Sequence, residues 1–178
     1  MSFEFKVKES PVGKLKLVAR DNKLVAILWE NDRPNRVKLG DMREVDDNPV
    51  LVETARQLDE YFAGKRTRFD LDIEFVGTEF QKKVWAALLT IPFGETRSYS
   101  DIANQIGNGR AVRAVGAANG RNPLSIIAPC HRVIGASGAL TGFAGGLKTK
   151  ALLLTTEANA NDRHAAGSQH TSGTIRGL

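Results

Sequence analysis

The residues best suited to chemistry in this 178-residue chain stand in one run, Pro129-Cys130-His131-Arg132. The thiolate is the reactive form of cysteine, and basic or cationic neighbours bring it within reach at neutral pH. Cys130 is the single cysteine, which excludes an internal disulfide framework and a metal site built of cysteines alone. A lone buried cysteine is equally at home as a small core hydrophobe. Two neighbours favour chemistry. Pro129 ends any strand before it, so the apolar run from Ser125 to Ala128 is expected to be a strand that carries the thiol at its tip. His131 and Arg132 would be costly to bury without partners.

The charge pattern shows what such a thiol would face. Residues 1–77 hold 14 Lys/Arg against 15 Asp/Glu, whereas residues 78–157 hold 9 against 4. From Ile102 to Thr156 there are six basic residues and no carboxylate: Arg110, Arg113, Arg121, Arg132, Lys148 and Lys150. One-sided charge of this kind suits a phosphate backbone. A solvated face balanced by the acidic first half is the plainer alternative. Within this stretch, Ser98 to Ile106 reads as a short helix, Gly107-Asn108-Gly109 as a turn, and Arg110 to Asn119 as a second helix. That is the helix-turn-helix pattern, although many helical hairpins share it. The second helix is thin, with Ala111, Ala114, Gly116, Ala117 and Ala118, and Arg113 is its main long side chain. Thr78 is a suitable N-cap for a helix over Glu79 to Leu89.

The first 77 residues read as scaffold. Strands are expected at Phe3–Val7, Leu15–Val18 and Leu24–Trp29, a β-meander, followed by a polar loop through Asn31-Asp32-Arg33-Pro34. A helix from Pro49 to Phe62 presents Val50, Leu51, Ala55, Leu58 and Phe62, and stops at Gly64. Met1 to Lys8 lacks an apolar signal region and no run is long enough to span a membrane, so a cytoplasmic location is expected. Residues 158–178 are small and polar without periodicity and are expected to form a disordered tail.

The block from Phe80 to Leu154 resembles the O6-alkylguanine-DNA alkyltransferases. The resemblance is carried by Phe80-Gln81-x-x-Val84-Trp85, Ile91-Pro92-x-Gly94, Ser98-Tyr99, Arg113-Ala114-Val115-Gly116, Asn122-Pro123, Pro129-Cys130-His131-Arg132-Val133, Gly142-Phe143-Ala144-Gly145-Gly146 and Lys150. The N-terminal meander and helix suit the family's first domain, so the likeness extends over about 1–157. It implies an α+β protein: a small RNase H-like α/β domain (1–77) with an antiparallel meander, then a mostly helical domain (78–157) with a helix-turn-helix.

The activity it implies is single-turnover transfer of an alkyl group from O6-alkylguanine in double-stranded DNA to Cys130. The chain would act as a monomer bound in the minor groove, with neither cofactor nor metal. Residue by residue, Cys130 is the acceptor, His131 the base acting through a water, Glu157 its orienting carboxylate, and Asn122 the hinge between helix-turn-helix and cysteine. Tyr99 would donate to guanine N3 and crowd the phosphate, and Arg113 would fill the gap left by the flipped base. The Ala144 N–H would face O6, the carbonyls of Cys130 and Val133 would accept from the exocyclic amine, and Phe143 would stack. Lys150 belongs with the substrate- and DNA-binding set.

Three positions depart from the family pattern: Phe143 for a common tyrosine, Asn119 for a hydrophobic residue, and Gly109 for a proline in the turn. Adduct size, O4-alkylthymine as a second substrate and cooperativity along DNA are left open. Two rivals are a non-catalytic alkyltransferase-like lesion binder, which lacks the acceptor cysteine, and a thiol hydrolase, which would leave the Arg113 helix unexplained.

Overall fold

Alternation at the N-terminus builds a sheet. In the computed structural model, which describes residues 2–170, strands β1 (Phe3–Lys8), β2 (Leu15–Arg20) and β3 (Lys23–Trp29) form the expected antiparallel meander. A short strand β4 (Met42–Glu44) adds parallel to β1, giving the order β3-β2-β1-β4, so the sheet is mixed rather than purely antiparallel. Leu15, Leu17 and Ala19 alternate onto one face and join the main core, while Val18 packs with Phe3, Val25 and Ala26 on the other. The outer edge of β3 is covered: the Leu24 N–H donates to the Asp72 carbonyl at 2.8 Å, and the Ile27 N–H donates to the Pro123 carbonyl at 2.8 Å. An unpaired edge is thereby closed by two distant segments.

Helix α1 (Pro49–Phe62) begins where Asn48 accepts from the N–H groups of Val50 and Leu51 and Pro49 takes the first turn. It ends before Gly64, whose φ of +75° suits a residue without Cβ. The buried face is turned from the one expected. Leu51, Leu58 and Tyr61 are buried together with Thr54 and Gln57, while Val50, Ala55 and Phe62 are only partly covered. Gln57 is tolerated inside because its amide closes both ways with the Asp70 backbone, at 2.9 Å each.

The second half starts with α2 (Glu79–Leu88), opened by a Thr78/Gln81 capping box. After the two-residue strand β5 (Arg97–Ser98) come α3 (Tyr99–Gln105) and α4 (Val112–Gly120), joined by a turn in which Gly107 has φ +81°. Trp85 of α2 donates from Nε1 to the Ala118 carbonyl at 2.8 Å and so fixes α4 against the core. The two-residue strand β6 (Val133–Ile134) pairs parallel with β5. Last is α5 (Leu147–His170), so residues 158–170 are helical and not the irregular tail expected; residues 171–178 lie outside the described residues. Ala158, Ala160, Ala165 and Ala166 supply helix propensity that the missing apolar periodicity hides. No described helix is long and apolar enough to cross a membrane.

The loop after β3 is more than a connector. Arg36 is buried there, gripping Asp32 through Nε at 2.6 Å and Nη2 at 2.8 Å, and donating from Nη1 to the carbonyls of Gly120 and Asn122 at 3.1 and 2.9 Å. Arg121 returns the contact, donating to the carbonyls of Asn35 and Arg36 at 3.3 Å each. Removing one partner of a buried ion pair leaves the other charge uncompensated. Arg36→Met is therefore expected to cost about 3 kcal/mol of unfolding free energy by denaturant titration; a loss below about 0.5 kcal/mol would mean the clamp contributes nothing.

Candidate active site

Cys130 does not ride on a strand tip. Residues 125–129 form a tight turn in which Ile126 has φ +75°, and Cys130–Arg132 is a single 3-10 turn leading into β6. An apolar run of four residues has the composition of a buried strand, but here its backbone groups are satisfied locally. The Ala128 N–H donates to the Leu124 carbonyl at 2.8 Å and the Cys130 N–H to the Ala128 carbonyl at 2.7 Å. Asn122 brackets the turn: Nδ2 donates to the Ala128 carbonyl at 2.8 Å, and Oδ1 accepts from the Leu124 N–H at 3.0 Å. Trp29 supports the same turn from β3, with Nε1 donating to Ser125 Oγ at 3.1 Å. A β-branched residue at positive φ is strained, so the turn depends on these fixings.

The thiol is enclosed, with Cys130 only 4% exposed. Burial pushes its pKa up, while the Asn122 and Ser125 side chains and the charges of Arg36 and Lys150 act in the opposite direction. Beside it, His131 is fully buried and its Nε2 lies 2.6 Å from Glu157 Oε2. Burial holds the imidazole pKa below its usual range against the pull of Glu157. The Nδ1 atom has no hydrogen-bond partner among the described residues.

Glu157, on α5, is the centre of this network and 1% exposed. Besides His131 it accepts from Tyr61 Oη at 2.6 Å and from Arg132, through Nε at 2.8 Å and Nη2 at 3.1 Å. Arg132 also donates to the Ile91 carbonyl at 2.7 Å. Burial alone would raise the Glu157 carboxyl, but the hydrogen bonds and charges of His131 and Arg132 outweigh it and hold it at about 2.

A cleft of about 830 Å³ opens between α4 and the loop after β3. Tyr99, Phe143 and Ala144 line it together with the small residues Gly116 and Ala117, and Arg33, Lys38 and Arg121 supply positive charge. Phe143 rests edge-on against Trp29, with ring centroids 5.5 Å apart. Gly145 lies so close to Trp29 that a Cβ there would sit 2.9 Å from the indole. The Tyr99 hydroxyl is hydrogen-bonded to Thr141 Oγ1. Arg113 stands exposed on α4.

The structure brings Cys130, His131, Glu157 and Asn122 together, and it places Tyr99, Phe143 and Ala144 in the cleft. Lys150 differs from its expected place among DNA contacts. It is wholly buried, and its Nζ donates to the Val133 carbonyl at 2.7 Å, so it braces β6 from behind. Arg132 is buried as well, which leaves four of the six cations in the acid-free stretch on the surface. Asn119 is also buried, and its Oδ1 has no partner among the described residues. The sequence reading missed Tyr61, Arg36 and Trp29, because each lies in the half read as scaffold.

Residues 79–159 match the family model for the 6-O-methylguanine DNA methyltransferase DNA-binding domain, and residues 5–75 match that for the family's ribonuclease-like domain. A methylated-DNA–protein-cysteine methyltransferase of Mycobacterium leprae is 49% identical over 149 residues, covering 84% of this chain and 88% of the relative. One of the same name from Methanosarcina acetivorans is 48% identical, covering 84% and 94%. Among solved structures, Mycobacterium tuberculosis OGT in complex with DNA superposes with a TM-score of 0.81 at 44% identity, covering 88% of this chain and 94% of that one.

The depressed Glu157 carboxyl has a consequence for stability. A group whose folded pKa lies below its unfolded value stabilises the fold above the unfolded value, and that contribution fades as pH falls through the folded one. The stability gap between wild type and Glu157→Gln is therefore expected to be widest above about pH 5. It should close as the pH falls from the ordinary carboxylate value of 4.5 towards about 2. Denaturant titrations at a series of pH values measure this, and a gap independent of pH would contradict it.

Proposed function

The chain belongs to the 6-O-methylguanine DNA methyltransferase family, and on that footing we propose that it repairs DNA by moving the alkyl group of O6-alkylguanine onto Cys130 in a single turnover. The observation that carries this reading is the buried thiol followed by an imidazole whose far nitrogen is tied to an ionised carboxylate at 2.6 Å. In the transfer the Sγ–carbon bond forms as the carbon–O6 bond breaks, and the thioether is permanent. The thiol proton must leave and the guanine anion must gain one. A thiol at rest is only a few per cent thiolate near neutrality, and burial makes Cys130 less so, which is why a base is needed. His131 is held neutral by burial and, with Nε2–H given to Glu157, presents the Nδ1 lone pair for the proton, through a bridging water. As the thiolate forms, the Asn122 and Ser125 side chains and the charges of Arg36 and Lys150 favour it.

The helix-turn-helix would bind the minor groove, where the Gly116-Ala117 surface of α4 permits close approach. Arg113, exposed on that helix, would enter the stack in place of the rotated nucleotide. Tyr99 would donate to guanine N3, Phe143 would stack on the base, and the Ala144 N–H would meet the charge developing on O6. The Val133 carbonyl has one lone pair engaged by Lys150, and its second would accept from the exocyclic amine together with the Cys130 carbonyl. In this division of labour residues 1–77 form one domain and 78–157 the other.

Two outcomes test the proposal. Intact-mass spectrometry after incubation with O6-methylguanine duplex should show one added methyl per chain, mapped to the peptide containing Cys130. Cys130→Ser should take up none while binding DNA within about twofold of wild type; methyl uptake by that variant would overturn the assignment. For the arginine, Arg113→Ala should slow repair of duplex DNA at least about tenfold more than reaction with the free modified base, about 1.4 kcal/mol out of the few kcal/mol that base extrusion requires. Equal losses in both assays would exclude a role in the stack.

A further inference from the structure

Tyr61 stands out because nothing in the transfer chemistry requires a residue from α1. It is 1% exposed, its ring packed by Phe62, Phe69 and Phe93 with centroids 5.2, 5.4 and 6.4 Å away. Its hydroxyl makes one hydrogen bond, to Glu157 Oε2 at 2.6 Å. Resting on the alkyl-transfer reading, we infer that Tyr61 is a positioning residue for that reaction: its hydroxyl shares Glu157 Oε2 with His131 and thereby tunes the proton affinity of an imidazole whose tautomer Glu157 sets.

The phenol stays protonated, because burial and the adjacent Glu157 charge both raise its pKa, so it can only donate to the carboxylate. Glu157 is ionised and can only accept, which places the imidazole proton on Nε2 and leaves Nδ1 bare. The groups facing His131 are Tyr61 from α1 through the shared oxygen, Cys130 and Arg132 from the 3-10 turn, and Lys150 and Glu157 from α5. Arg132 and Lys150 disfavour an imidazolium, and Glu157 favours one. The Tyr61 hydroxyl draws off part of the Glu157 charge, so it acts on the side of Arg132. Without that donor more of the charge on Oε2 falls on His131, the imidazolium gains stability, and the ring holds its proton to higher pH. A base that is already protonated cannot accept from the thiol. The N-terminal half would thus set the pH range over which the C-terminal half reacts.

Single-turnover transfer from an O6-methylguanine duplex, followed from pH 5 to 9 in wild type and Tyr61→Phe, separates this role from simple packing. The acid limb of the rate profile should move up by about one pH unit, which is about a tenfold loss below the limb, with the alkaline plateau within about twofold of wild type. A loss by one factor at every pH, or an unmoved limb, overturns the inference. Nitrogen-15 NMR of the His131 ring reads the same quantity without activity: wild type should show the Nε2–H tautomer, and Tyr61→Phe should raise the titration midpoint. An unchanged midpoint overturns the inference even if transfer is normal. A wild type that transfers no methyl, with the midpoint shifted as expected, overturns instead the alkyl-transfer reading. Should Tyr61→Phe not fold, an Nδ1–H tautomer in wild type is by itself enough to reject the role.

Discussion

An ionised carboxylate buried to 1% exposure is expensive unless every lone pair is used, and the arrangement around Glu157 follows from that constraint. Its oxygens take Tyr61 from α1, His131 and two nitrogens of Arg132 from the cysteine turn, while Glu157 itself belongs to α5. Three segments far apart in sequence are therefore bound to one charge. The position of the imidazole, the course of the backbone after Cys130 and the docking of α5 cannot be altered separately. Arg132 extends the network to the Ile91 carbonyl, just after α2, so the helical domain is tied into it from a fourth direction.

A second, independent set of bonds holds the cysteine turn from the front. The β3 edge meets the chain at Pro123, Trp29 meets Ser125, and Arg36 meets the carbonyls of Gly120 and Asn122. These contacts all end within a few residues of Asn122, where α4 gives way to the turn that holds the thiol. Glu157 thus fixes the imidazole beside the thiol, and the β3 side fixes the turn that carries it. That division explains why a strained residue such as Ile126 can be kept in place between them.

Much of this was legible from residue types. The Cys130-His131 pair, the start of α1 at Pro49 and the N-cap at Thr78 announce themselves from residues close in sequence, while the place of Asn122 followed from the family resemblance. What escaped depended on distant partners. β4 is three residues, the last two exposed, with no apolar alternation, made a strand only by pairing with β1. Ser125 to Ala128 looks like a buried strand because apolarity reports burial and not backbone direction, and a β-branched residue gives no warning of positive φ. Thr54, Gln57 and Tyr61 lie on a helix face that polarity assigns to solvent. Gln57 is buried because Asp70 is there to meet it, and Tyr61 because Glu157 is. Lys150 shows the same limit from the other side, since a lysine in a basic stretch reads as surface until Val133 is seen beneath it.

The enclosure of Cys130 bears on how long the chain keeps, as well as on how it reacts. A protein that uses its sulfur once is lost whenever that sulfur reacts with anything else, and oxidation beyond the sulfenic stage is not reversed for such a residue. Susceptibility to oxidants follows thiolate character and access. At 4% exposure and with its pKa pushed up by burial, the resting thiol offers little of either. The same desolvation that would make a base necessary for the proposed transfer therefore shields the thiol in storage, so that its shelf life and that need would have one physical origin.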